Sequence, residues 1–404
     1  MPSSQRHLLL ICSDLRAESL AGSFRVRCFI KYLRRLDWRI SAFVPSDDSR
    51  QVQDCDAGLR VQSSGIEAPS QRWRRALQRL TLAPDPFVRW VRKSSDEILR
   101  FASRDRPDAV LVSSPPHSIQ AIGVHLHREL GIPFIADFRD DWISNHRQRW
   151  PTPWHHWVAS QQEERCVKYA NRVILNTSEV HRRFTSRYPK FAEKLSVLTN
   201  GYDDEDFGRK PLSPIENEAK LPARVYYAGA SYGDYMDHRL GQLATALLDA
   251  GQGGIWELVS LGAGQWRGAG LPPMWRHLGS LDAAAAASEL ERASVLLLPM
   301  PPGEREPSGT VPLKAYGYLR SGRAIVYLGE RGSTSELLQS FPGTYCLGRE
   351  GWSSLANWLI RHRDELNHHF IRAGVGAFSF SHLTKCLDSH LREAAGASGH
   401  RTYL

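Results

Sequence analysis

Short continuous apolar runs alternate with longer stretches of helical spacing through the first half of the chain. His7–Cys12 reads as a buried strand. Gly22–Leu36 predicts a helix, with Phe24, Cys28, Phe29, Tyr32, Leu33 and Leu36 on one face. Arg39–Val44 and Ala109–Ser113 read as further strands, and a helix is expected from about Ser118 to Leu130. Pro133–Asp137, Arg172–Asn176 and Leu195–Leu198 complete the series. Strands that are apolar throughout are buried on both faces, which implies a parallel sheet covered by helices on both sides.

The pattern then restarts. Residues 208–222, with Gly208, Pro211, Pro214 and Pro222 among charges, read as a linker. Strands are expected at Val225–Ala228, Trp256–Leu261, Val295–Pro299 and Ala324–Leu328. Helices are expected at Leu240–Ala250, Ala283–Ala293 and Pro312–Arg320. The expected fold class is therefore α/β, with two Rossmann-like doubly wound parallel-sheet domains at 1–207 and 223–375. Residues 376–404 are expected as a C-terminal helix crossing back to the N-terminal domain. Ligands of such sheets sit at the carboxyl ends of the strands, so two facing units would place the site in a central cleft.

Composition agrees with two real cores: 404 residues, 42% apolar and 24% charged. The formal net charge of +9 favours anionic partners, whether nucleic acid, anionic membrane or phosphorylated ligands. No helix-turn-helix, zinc-finger spacing or RRM-like motif supports nucleic acid. The cysteines form no C-x-x-C pair, so neither a zinc site nor a disulfide framework is suggested. Leu8–Cys12 is too brief for a signal-peptide core, and no run approaches the ~18 apolar residues of a membrane span. A cytoplasmic protein is expected, possible as a peripheral protein on the inner face of the cell membrane.

Several loops carry chemistry. Ala21-Gly22-Ser23 opens the first helix, with Arg25 in its first turn, and a helix N-terminus offers N–H groups to an anion. Ser113–Ser118 contains two prolines and His117, which could meet substrate. Asp137-Phe138-Arg139-Asp140-Asp141-Trp142 places carboxylates and a guanidinium at a strand's carboxyl end. There Arg139 could pair with Asp137 or Asp140, and Asp137 or Asp140 could bind an acceptor hydroxyl or take its proton. Ser308-Gly309-Thr310-Val311-Pro312-Leu313-Lys314 combines a glycine turn, hydroxyls, a proline inside the helix start and a lysine, the parts of an anion cradle. Glu304 and Glu306 precede it. Asp203–Asp206 reads as turn and capping residues. Arg72, Trp73, Arg74, Arg75 and Arg79, followed by Phe87, Trp90 and Val91 among further basic residues, form basic amphipathic segments that suit an anionic membrane surface, a helix packed on its own domain or a nucleic-acid patch.

In this order the segments resemble glycosyltransferase family 4 of the GT-B superfamily, in its bacterial surface-polysaccharide branch. The fragments are "PDPFVRW" at Pro84–Trp90, "PDAVLVSSPPHS" at Pro107–Ser118, "GIPFIADFRDDW" at Gly131–Trp142, "NGYDDEDF" at Asn200–Phe207 and "SGTVPLKAYGYLRSGRAIV" at Ser308–Val326. The resemblance implies a nucleotide-sugar donor held mainly by the second domain, a glycan or lipid-linked acceptor, retention of anomeric configuration, and no cofactor or metal. It implies that Lys314 and the amides of Ser308, Gly309 and Thr310 neutralise the donor diphosphate, with Arg239, after Ala228-Gly229, assisting. Gly22, Ser23 and Arg25 would close on the diphosphate, and Gly262 and Gly264 would line the nucleotide pocket. Asp137, Arg139, Asp140 and His117 would face acceptor and reacting sugar. One departure stands out. Where the family carries the second of two glutamates, in a K-x-x-E-Y context, this chain has Gly317, and position 309 is also glycine. Either Glu306 or Glu336 substitutes for the missing ribose carboxylate or donor binding is weakened, which leaves a non-catalytic GT-B scaffold or partner subunit as the alternative.

Overall fold

The structure, a computed structural model, describes residues 5–15, 21–45, 60–63, 81–145, 148–208, 222–229, 231–232, 235–262, 272–300 and 309–398. The chain divides into two compact units, Met1–Asn200 with Phe380–Leu404, and Gly201–Ser379.

The first unit runs β1 (Arg6–Cys12), α1 (Ala21–Arg35), β2 (Trp38–Val44), β3 (Arg60–Ser63), α2 (Val88–Asp105), β4 (Ala109–Ser114), α3 (Gln120–Leu130), β5 (Phe134–Phe138), α4 (Pro153–Tyr169), β6 (Arg172–Leu175), α5 (Ser178–Arg187) and β7 (Leu195–Val197). Its sheet has the order β3-β2-β1-β4-β5-β6-β7. Every pairing is parallel; Leu8, for example, lies between Ile40 and Ala109. The period of two along each strand builds two cores. Leu9, Ile11, Val110, Val112, Phe134 and Ala136 face the helices α2 to α4. Leu8, Leu10, Ala109, Leu111 and Ile135 face α1. Each such side chain, taken fully from water, contributes about 1.5–3 kcal/mol, so both layers are needed to hold the sheet.

Two elements differ from the sequence reading. β3 is a short edge strand with no apolar run to announce it. The basic stretch after Pro86 is not a surface segment: α2 buries Val88, Trp90, Val91, Ile98 and Phe101, and turns Arg89 and Arg92 outward. The arginine–tryptophan mix there belongs to a helix packed on its own sheet. The companion residues Arg72, Trp73, Arg74, Arg75 and Arg79 lie outside the described residues.

The second unit runs β8 (Ala223–Ala228), α6 (Tyr235–Asp249), β9 (Trp256–Leu261), β10 (Trp275–His277), α7 (Ala283–Glu291), β11 (Val295–Pro299), α8 (Leu313–Arg320), β12 (Ala324–Leu328), α9 (Ser333–Gln339), β13 (Thr344–Cys346) and α10 (Gly351–Arg361). The order is β10-β9-β8-β11-β12-β13, again all parallel. The alanine run that predicts α7 is started by Asp282, whose carboxylate accepts from the Ala285 amide at 2.8 Å. Asp203 likewise accepts from the Glu205 amide at 3.1 Å and opens a single 3-10 turn over Asp204–Phe207. Of the expected linker, residues 209–221 lie outside the described residues.

The chain then returns to the first unit as α11 (Phe380–Ser398). Phe380 sits edge-on to both Phe24 and Phe29, at 5.7 Å in each case. Leu383, Leu387 and Leu391 are buried behind it, and Trp38 donates its indole N–H to Asp388 at 2.6 Å. Among the described residues no helix is long and apolar enough to cross a membrane.

In each sheet the strand order reverses once, between β1 and β4 and between β8 and β11. The carboxyl ends of the strands at such reversal points are where sheets of this kind bind ligands.

Candidate functional site

At the first reversal point the loops are laced together. Arg25, in the first turn of α1, meets Asp137 through two contacts, Nη2–Oδ1 at 2.9 Å and Nε–Oδ2 at 3.3 Å. It also donates to the carbonyls of Leu198, at 2.9 Å, and of Thr199. Ser113 donates to the same carboxylate at 2.7 Å. Both charged side chains are fully buried. This corrects two expectations. Arg25 does not reach toward a donor phosphate, because its fork is consumed inside the first unit. Asp137 is not open to an acceptor hydroxyl; it is the counter-ion of Arg25, and the expected Arg139–Asp137 pair gives way to this one. Ser23 is also buried, only 2% exposed within the packed side of α1, which removes it from any surface a donor could touch. Gly22 lies in the first turn of the same helix.

Arg139 braces the loop after β4. Its side chain donates to the carbonyls of Ser114 at 3.1 Å and Pro115 at 2.6 Å, and Ser13 donates to the Pro115 carbonyl at 3.3 Å. Asn176 donates to the Arg139 carbonyl at 2.9 Å and accepts from the Asn200 amide at 2.8 Å. His117 is buried, stacks on Trp142 at 4.9 Å and shares a hydrogen bond of 3.1 Å with Ser114. Burial, then the charge of Arg139, pushes its pKa down to about 3. It is therefore a neutral hydrogen-bonding group near pH 7, not a titrating acid or base. Asp141 is buried against Arg183 at 3.3 Å, which leaves Asp140 as the carboxylate of this motif that is only half-buried.

Asp85 is a site residue that sequence reasoning missed. Its carboxylate accepts from the Ser118 amide at 2.9 Å, the Ser118 hydroxyl at 2.6 Å and the Phe87 amide at 2.9 Å. The Pro84-Asp85-Pro86 turn thus fixes the His117 loop through Ser118. The two flanking prolines, which stiffen that aspartate's turn, were the available signal.

At the second reversal point Lys314 and Tyr318, one turn apart on α8, hold the two peptide groups that flank Ala228. The Lys314 ammonium donates to the Ala228 carbonyl at 3.0 Å, and the Tyr318 hydroxyl accepts from the Ala228 amide at 3.0 Å. The ammonium also lies 4.5 Å above the ring of Tyr227. Burial pushes its pKa down to about 7. Beside it the backbone is bare. A Cβ at Gly229 would stand 3.1 Å from Lys314 Nζ, and one at Gly262 would stand 2.4 Å from the Gly229 carbonyl oxygen. Gly262 adopts φ of +136°, which only glycine accepts without strain.

The cradle expected before α8 is partly spoken for. The Gly309 amide donates to the Ser333 hydroxyl at 3.1 Å, and Thr334 donates to the Thr310 carbonyl at 2.7 Å, so α9 pins this loop. Arg239 is directed elsewhere than expected. It spans the rings of Tyr235 at 5.5 Å and Trp352 at 5.9 Å, in a groove between α6 and α10. Gly264, Glu306 and Ser308 lie outside the described residues, and Glu336 is exposed on the first turn of α9. Gly317 faces the Phe207 ring, 3.6 Å from where its Cβ would be.

Residues 23–201 match the glycosyl transferase 4-like domain family. The whole chain is similar in structure to sucrose-phosphate synthase from Thermosynechococcus elongatus, with a TM-score of 0.66 at 13% identity over 97% of this chain and 100% of that one. The Alr3699/HepE protein of Anabaena, solved with UDP and glucose, gives 0.63 at 13% identity over 95% and 99%. A glycosyltransferase from Rickettsia africae gives 0.63 at 11% identity over 97% and 99%. The fold is GT-B, and its first unit is a glycosyl transferase 4-like domain. No curated protein matches the sequence. The matched residues contain the first three of the five fragments and the first two residues of the fourth, and Ser308–Val326 lies outside them.

Proposed function

We propose that this GT-B protein transfers a sugar from a nucleotide-linked donor to a glycan or lipid-linked acceptor, with retention of configuration and without a metal. The observation that carries the reading is the Lys314 ammonium at the reversal point of the second sheet, beside the bare backbone of Gly229 and Gly262. A desolvated cation next to peptide that carries no side chain suits a diphosphate, which needs close approach and charge. A bound diphosphate raises the lysine's pKa, recruits a proton to it, and gains an ammonium whose field no bulk water screens. That supplies the leaving-group stabilisation a divalent ion would otherwise provide. The glycosyl transferase 4-like first unit supports the reading, and the Anabaena structure shows that a GT-B relative of this shape takes UDP.

On the acceptor side Asp140, at the end of β5, is the carboxylate placed to bind a hydroxyl. Arg139 holds its loop, and neutral His117 offers a hydrogen bond. The buried Arg25–Asp137 pair keeps this edge in register. An acceptor carried by lipid would bring the protein to the cytoplasmic face of a membrane. Incubation with a panel of nucleotide-sugars, with mass-spectrometric detection of released nucleotide, tests the proposal. Turnover or binding of at least one donor, lost in Lys314→Ala, is the expected result. No affinity for any nucleotide or nucleotide-sugar in the native protein refutes it and favours the scaffold reading that Gly317 raises.

A further inference from the structure

We propose that the first turn of α4 is a membrane-docking surface for anionic lipid, inserted at the level of the headgroups. Trp154 and Trp157 lie three residues apart on one side of this helix and are 52% and 59% exposed. The opposite side is sealed into the unit by His155, Ala159, Glu163 and Cys166. The indoles are thus presented outward by a helix whose inner face is fixed. Half-exposed tryptophan gives up apolar area to water, yet its N–H resists full burial in hydrocarbon. The bilayer interface satisfies both ends of the ring.

Charge selects the occupant. Between Asp141 and Glu163 the sequence has no acidic residue, while it carries Arg149 and the exposed His156. Arg149 is exposed just ahead of the helix. The helix begins at Pro153, carries no acid in its first turn, and has no side-chain cap, because Thr152 is engaged with His155 at 2.8 Å. Its positive end therefore lies in the same turn as the two rings and favours phosphate beside them. Farther along the outer side Gln161, Glu164, Arg165 and Lys168 are exposed and polar, which limits insertion to the first turn. A glycan platform would need carboxylates beside the rings to take sugar hydroxyls, and this stretch supplies none.

The surface is separate from the Lys314 site, so either reading can fail alone. The test is co-sedimentation of the full chain with vesicles of phosphatidylcholine, alone or mixed with phosphatidylglycerol. The variants are Trp154→Ser with Trp157→Ser, Arg149→Ser, and a control with Arg72, Arg74, Arg75 and Arg79 all replaced by serine. The double tryptophan variant is expected to bind the mixed vesicles about tenfold less than native. It should keep its melting temperature and its affinity for UDP. Brominated acyl chains should quench native tryptophan fluorescence and spare the double variant, and Arg149→Ser should weaken binding to the mixed vesicles only. The proposal is overturned if native protein ignores the mixed vesicles, or if the double variant binds them as native does. It is equally overturned if only the arginine control loses binding. Loss of self-association or of soluble-oligosaccharide binding in the double variant, with vesicle binding intact, would assign the surface to another copy or to a glycan instead.

Discussion

If Lys314 is mostly neutral before the donor arrives, binding a diphosphate must draw a proton from solution. With its pKa pushed down to about 7 by burial, the side chain is only ~10% protonated at pH 8. A diphosphate that returns it toward its ordinary value near 10.5 makes it fully charged, so UDP binding at pH 8 should take up about 0.9 proton. At pH 6 the lysine is already charged and this uptake falls to about 0.1. Titration calorimetry in buffers of different ionisation enthalpy reads the number directly. Lys314→Ala supplies the baseline for protons exchanged by UDP itself, and Lys314→Arg should bind with no uptake at pH 8. The alanine variant loses one charge-assisted hydrogen bond, worth about 1.5–3 kcal/mol, or roughly 10- to 150-fold in affinity. The linkage also has a sign in the absence of ligand. The folded pKa lies below the unfolded value, so the unfolded chain holds the proton more tightly, and stability from this group rises as pH climbs from about 7 toward 10.5. Intact UDP binding at pH 8 with no difference in proton uptake between native and Lys314→Ala would refute the argument.

Asp137→Ala should cost about 3–5 kcal/mol in the urea transition of the first unit, because it strands the buried Arg25 charge; combining it with Arg25→Met should recover part of that loss, and a cost under ~1 kcal/mol would show the pair to be dispensable. Gly262→Ala brings a Cβ to 2.4 Å from a carbonyl oxygen at φ of +136°, and is expected to displace the Gly229 peptide and weaken UDP binding by tenfold or more in titration calorimetry, an order-of-magnitude figure resting on loss of close approach. Gly317→Ala, within α8 and with 3.6 Å to the Phe207 ring, should stabilise the second unit by about 0.5–1 kcal/mol in thermal unfolding.

The central strands were legible because each is apolar along its whole length, a signature of burial on both faces: His7–Cys12, Val295–Pro299 and Ala324–Leu328 were read nearly to the residue. The edge elements were not. Arg60–Ser63 alternates polar and apolar residues over one short span, and α2 interleaves arginine with its buried face, so surface charge masked a core helix. The same divide runs through the site. Lys314 was legible from its own loop, since glycine, hydroxyl, proline and lysine fall within the six residues Gly309–Lys314. The role of Arg25 was not, because Asp137 is 112 positions away and no local pattern marks the pair. Arg139 and His117 stand out in the sequence as polar residues just after apolar strands. Their work on neighbouring carbonyls and rings depends on contacts that only the folded edge creates.

The first unit is sewn from two stretches of chain, with α11 made about 240 residues after β5, the later of the two strands it packs on. On the ribosome, then, the sheet emerges with one layer missing: Phe24, Phe29 and Leu33 have no lid until Phe380, Leu387 and Leu391 are translated. The second unit, contiguous in sequence, can mature first. Synthesis order is thereby inverted, and an early stop codon upstream of Phe380 would leave an exposed greasy flank for chaperones or proteases to find.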